Sequence, residues 1–83
     1  MPDVTYYVAL PFLQDDTGER VEGVAEELQS PIAAIRRAEA LSRSPGVIGA
    51  VAFSRSGDPA LGEFSDAVVL RKFGDVPDDL SGL

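Results

Sequence analysis

The chain predicts an α+β fold, a two-layer ββαββ sandwich with one helix on a four-stranded mixed or antiparallel sheet. Three observations carry that expectation. Apolar residues alternate at a spacing of two near the start, Ser30 and Pro31 open a stretch of helical period, and a charge-free run follows from residue 47 to 53. A spacing of two lines one face of a strand, and a spacing of 3.6 lines one side of a helix.

The first strand is read over residues 4–13, "VTYYVALPFL", where Val4, Tyr6, Val8 and Leu10 share a face. Pro11 lacks the donor of a central ladder, so this strand is expected at an edge or to end near that residue. "QDDTGE", residues 14–19, supplies turn chemistry. A weaker strand then runs over residues 20–28, with Glu22 and Glu26 on one face and Val21 and Ala25 on the other, which makes the first pair a hairpin. Ser30 caps a helix whose first turn accepts Pro31, since the missing N–H of the proline has no partner there in any case. Ala34, Ile35, Ala38 and Leu41 form its sheet-facing side, and Glu39 and Arg43 stand four apart in the favourable order. Ser44, Pro45 and Gly46 end it. "VIGAVAF", residues 47–53, has the pattern of a central strand covered on both faces. "AVVLRKF", residues 67–73, is the fourth strand, and residues 75–83 read as a frayed acidic tail on a single domain spanning 1–83.

Composition excludes much of the chemistry available to a domain of this size. With no cysteine and no histidine among 83 residues, the chain has no disulfide, no thiolate nucleophile, no imidazole base and none of the usual zinc ligands. A chain this short buries only about 60–65% of the surface its unfolded form exposes, so its core is thin and association with another chain is the device left to it. Fourteen acids against seven bases give a net charge of −7, which disfavours nucleic acid as a partner. No apolar run approaches a membrane span, and the first residues carry an acid where an export signal would carry positive charge, so the expected location is the cytoplasm.

Three candidate sites follow. "SRSGDPALGEFSD", residues 54–66, holds Asp58, Glu63 and Asp66, which can converge on a hard divalent cation. Their spacing matches no EF-hand, because Gly57 precedes the first acid, and the competing reading is a plain turn between strands. Ser54 and Ser56 would need Lys72 or a carboxylate as base, and no phosphate-binding glycine motif occurs, so neither an enzyme nor a cofactor is expected. The second site is the helix face of Arg36, Arg37 and Arg43, which with Arg55, Arg71, Lys72, Tyr6 and Tyr7 would make a phosphate-binding surface with aromatic stacking, the alternative reading being a nucleic-acid-binding module. Its competitor is a solvated face neutralised by Glu26, Glu27 and Glu39. The third rests on coverage. One helix shields one face of four strands, so the other exposes residues such as Tyr6, Val8, Phe53 and Leu70, the pattern of an interface with a second copy or another protein.

The stretch "GVIGAVAFSRSGDPALGEFSDAVVLRKFGDVPDDLS", preceded by "AAIRRAEAL", resembles a group of small alphaproteobacterial domain proteins to which no activity is attached. The resemblance covers most of the chain after the first hairpin, with residues 49–77 the most distinctive part. It implies a stand-alone bacterial protein and carries over no catalytic or binding residue.

Overall fold

The computed structural model describes residues 4–77. Its elements run β1 (Val4–Gln14), β2 (Arg20–Glu22), β3 (Glu26–Leu28), α1 (Pro31–Ser42), β4 (Val47–Asp58), β5 (Glu63–Phe64) and β6 (Val68–Gly74). The fold is α+β, with one helix against a curled antiparallel sheet of six strands rather than four. β1 and β4 form its centre, β2 and β3 both pair with the outer side of β1, and β5 and β6 both pair with the outer side of β4. No helix among the described residues is long and apolar enough to cross a membrane.

Of the two placements expected for the first strand, it does not lie at an edge but ends three residues past Pro11, at Gln14, and the backbone explains how a central strand tolerates Pro11. The amide of Gly23 donates to the Pro11 carbonyl at 2.8 Å, so the polar groups of residue 11 point toward the β2–β3 side. There the neighbouring strand is interrupted between Glu22 and Glu26, and the absent proline N–H faces the interruption. A side chain at Gly23 would crowd the same place, because a Cβ on it would lie 2.6 Å from the Leu13 side chain and 2.9 Å from that of Pro11, and both would have to shift.

The interruption also splits the expected second strand. Phe12 pairs with Glu22 and Ala9 with Glu26, so four residue steps on one strand match three on the other. That extra residue inverts the alternation. Glu22 and Glu26 therefore lie on opposite faces, not on a shared one.

The helix begins as expected. The Ser30 side-chain oxygen accepts from the Ala33 amide at 3.1 Å, and Pro31 occupies the first turn. Ala34 and Ala38 are fully buried against Ala9, Ala50 and Ala52, with Ile35, Leu41, Leu28, Tyr7, Leu70 and Phe73 packed around them. Small side chains on both partners let helix and sheet approach closely, and the larger Ile35 and Leu41 sit half-buried at the sides of this contact. The exit is a turn in which the Val47 amide donates to the Ser44 carbonyl at 3.1 Å. Pro45 supplies its first central position and Gly46, at φ +83°, its second, the conformations a type II turn requires.

β4 continues five residues past its expected end, because Val4–Tyr7 of β1 pair with Gly57–Ser54 and keep the ladder going. Two bulges bend this sheet. Ile48 is the additional residue where Leu13 pairs with Val47 after Phe12 pairs with Gly49, and Leu70 is the additional residue where Phe53 pairs with Val69 after Ala52 pairs with Arg71. Beyond β6 the chain does not fray at once. Asp75 donates its amide to the Ile48 carbonyl at 2.9 Å, its carboxylate meets Arg20 at 2.6 Å, and Val76 packs on the sheet. Residues 78–83 of the expected tail lie outside the described residues.

Candidate interaction surface

The sheet face away from the helix is built by alternate residues of the two central strands. Tyr6, Val8, Leu10 and Phe12 of β1 pair with Arg55, Phe53, Val51 and Gly49 of β4, so these eight positions share that face. Its lower half closes on itself. Leu10, Phe12, Val51 and Phe53 are buried among Val8, Ile48, Ala67 and Val76. Exposure expected for Phe53 is therefore not found, at 7%, because the curl of the sheet and the returning chain cover it, as they cover Val51.

Two glycines let the chain fold over this face at either end of β4. A Cβ on Gly49 would stand 2.3 Å from the Asp75 backbone oxygen, so only a bare position admits the crossing after β6. At Gly57 the corresponding contacts are 2.2 Å to the Glu63 carbonyl and 2.6 Å to the Phe64 ring, and here β5 lies across the strand end. Between these crossings lies an open trough of about 430 Å³ lined by Tyr6, Val8, Ala25, Glu27, Phe53, Arg55 and Phe64. The Tyr6 and Phe64 rings form its upper wall, with centroids 5.9 Å apart at 48°. Phe64 is 42% exposed, and Val69, paired with Phe53 on the adjoining strand, is 39% exposed.

Of the four residues expected at an interface, Tyr6, Val8 and Phe53 line this trough together. Leu70 does not. It packs with the helix-side cluster, because the bulge at residue 70 inserts it there and leaves Val69 on the trough face instead. Phe64, Ala25 and Glu27 escaped the sequence reading. An isolated aromatic among turn formers was the one available signal, for Phe64, while Ala25 and Glu27 depend on the alternation inverted after Gly23.

The helix arginines occupy the other side of the molecule. Arg37 makes a two-pronged contact to Glu26, Nε to Oε1 and Nη2 to Oε2, both at 2.9 Å. Those hydrogen bonds, with the carboxylate charge, raise the Arg37 pKa further above its ordinary value. Arg43 donates to Glu39 at 3.2 Å across one helical turn. Arg36 is exposed beside a shallow cleft lined by Leu28, Ile32 and Ala33. The wider basic and aromatic surface is not assembled. Tyr6 and Arg55 lie on the trough face, whereas Tyr7 packs on the helix side and Arg71 stands 5.7 Å from the Phe73 ring centroid on that same side.

The stretch 54–66 is mostly strand. Its turn is confined to residues 59–62, where the Asp58 carboxylate accepts the Ala60 amide at 2.9 Å, the Asp58 carbonyl accepts the Leu61 amide at 3.1 Å, and Gly62 takes φ +70°. Asp58 and Glu63 are ladder partners and Asp66 is exposed beyond β5. Among the described residues, no group of three or more His, Cys, Asp or Glu side chains is placed to hold a metal ion. The Thr5 and Ser56 hydroxyls share a hydrogen bond at 2.8 Å. Ser54 pairs with Tyr7 on the helix side, while Lys72 pairs with Val51 on the trough side, so the sheet separates that serine from that amine. Compared with protein-family models, with curated proteins and with solved structures, the chain finds no match in any of the three.

Proposed function

We propose that the chain is a noncatalytic interaction module that associates with a second copy of itself through the trough face. The observation that carries this reading is the open apolar surface of Tyr6, Val8, Phe64 and Val69, with the buried Phe53 beneath it, on the side of the sheet that the helix leaves uncovered. Contiguous apolar surface of this kind on a small domain marks a place of contact. A second copy supplies the same surface, so a two-fold pairing buries both at once. The absence of histidine and cysteine from the sequence supports a role in binding rather than in acid–base or nucleophilic catalysis.

Light scattering coupled to size-exclusion chromatography tests the proposal. Across a rising concentration series the mass should move from one subunit of 8.8 kDa toward two. Substituting the exposed Val69→Lys should hold the protein at the single-subunit mass while its circular dichroism spectrum stays unchanged. A single-subunit mass for the unaltered chain throughout a millimolar series overturns the reading.

A further inference from the structure

We infer that the trough takes a small organic cation, an amine bearing an aromatic or branched apolar group, with its ammonium at Glu27 and its apolar group between Tyr6, Phe64 and Phe53. Such binding rests on the open trough described above and not on the self-association proposed for the same face.

The trough has the size and the lining of a small-ligand site. At about 430 Å³ it falls within the range of roughly 300–1,000 Å³ that such sites span. The crossings over Gly49 and Gly57 bound it at either end, so its floor at Val8 and Phe53 is reached by a group small enough to enter between them. Tyr6, Val8, Ala25, Phe53 and Phe64 give it apolar surface, and the Tyr6 and Phe64 rings, tilted at 48°, are not stacked on one another. Its lining holds one acid, Glu27, and one base, Arg55.

The sign of the ligand's charge follows from the acid. Glu26 and Glu27 are neighbours on β3 with opposite surroundings. Glu26, half-buried on the helix side, accepts both prongs of Arg37 at 2.9 Å. Glu27, exposed at the trough margin, meets no base among the described residues. Arg55 enters from the far wall, since Glu27 pairs with Val8 on β1 while Arg55 lies on β4, opposite Tyr6. Two strand spacings root the two charges roughly 10 Å apart across the sheet. An ammonium at Glu27 therefore sits at the β3 margin, with its apolar group extending toward β4. The face of an aromatic ring attracts a cation and adds to the pull of the carboxylate. A net charge of −7 further raises the concentration of cations over anions at this surface. A ligand carboxylate in the same place would meet Glu27 as like to like and gain nothing from the rings.

Three ligands of one shape test the charge. Phenethylamine, phenylethanol and phenylpropanoate carry the same ring on the same short arm and differ in the terminal group. Each is titrated into the unaltered chain, at a concentration where light scattering gives a single subunit, and followed by backbone amide NMR shifts. The amine should bind with a dissociation constant on the order of millimolar, moving the amides of Tyr6, Val8, Ala25, Glu27 and Phe64, with the alcohol weaker and the carboxylate weakest. Glu27→Gln should weaken the amine by about two- to fivefold and leave the alcohol unchanged. Tyr6→Leu keeps the wall apolar and should weaken the amine more than the alcohol. Unmoved amides with the amine at about 50 mM, well above the expected constant, would overturn the site. So would phenylpropanoate binding as tightly as the amine, or an amine affinity unchanged in Glu27→Gln. Because the titration is read on single subunits, a chain that never dimerises leaves this test intact, and a dimer that ignores the amine leaves the self-association standing.

Discussion

The two faces of this sheet are covered by opposite means. On the helix side, alanines meet alanines, Ala34 and Ala38 against Ala9, Ala50 and Ala52, and these five are sealed because nothing bulky holds the layers apart. On the trough side the sheet carries Leu10, Phe12, Val51 and Phe53, and the chain folds only its own ends over them. Close approach by a regular element closes the centre of a face, whereas large side chains under short crossings leave space between the crossings. The same strands, β1 and β4, supply both outcomes through alternate residues.

The sharpest way to break this contrast is to empty the trough side. Phe12→Ala removes a ring that is 2% exposed and should destabilise the fold by about 3–5 kcal/mol, measured by urea denaturation. The helix side should fail in the opposite sense. Ala38→Leu adds volume where none is free and should cost about 1–3 kcal/mol in the same assay, from overpacking rather than from a cavity. If the leucine proves neutral, the alanine contact is looser than its burial indicates. Ser30→Ala removes the helix cap and should cost about 1 kcal/mol, while leaving any self-association through the trough face unchanged.

The smallest expected effect lies outside both faces, in the hairpin turn after β1. The Asp15 carboxylate accepts from the Thr17 hydroxyl at 2.6 Å and from the Thr17 and Glu19 amides at 2.9 Å. The Thr17 hydroxyl, followed by the Glu19 amide, holds its pKa below the ordinary aspartate range. A carboxyl lowered by folding stabilises the fold at pH values above its unfolded pKa, and that contribution is lost as pH falls through the lowered folded value. A carbon-detected NMR titration should find Asp15 titrating below an ordinary aspartate, and Thr17→Val should move it back upward. An unmoved titration in that variant would remove the hydroxyl as the main cause.

Much of the helix side was legible in the chain. Ser30-Pro31 marks the helix start, and the 3.6 spacing of Ala34, Ala38 and Leu41 identifies the side laid on the sheet. Local chemistry suffices for both, since a cap and a period each act within a few residues. The trough side was legible only in part. Tyr6, Val8 and Phe53 follow from strict alternation, which holds along β1 and through the middle of β4. The rest depended on three irregularities, the additional residue after Gly23, Ile48 and Leu70, each of which inverts or shifts alternation without a local signal strong enough to locate it. Leu70 was assigned to the wrong face for that reason. The long extension of β4 was hidden too, because "SRSGD" is composed of turn-forming residues that the length of β1 overrides.

The break opposite Pro11 has a consequence for solubility. A continuous outer strand would offer a long ribbon of main-chain donors and acceptors on which further molecules can polymerise. Here that border consists of two segments of three residues each, while the opposite border bears Arg71 and Lys72, charged side chains that an incoming strand would have to strip of water. Filament growth is thereby obstructed at both sides.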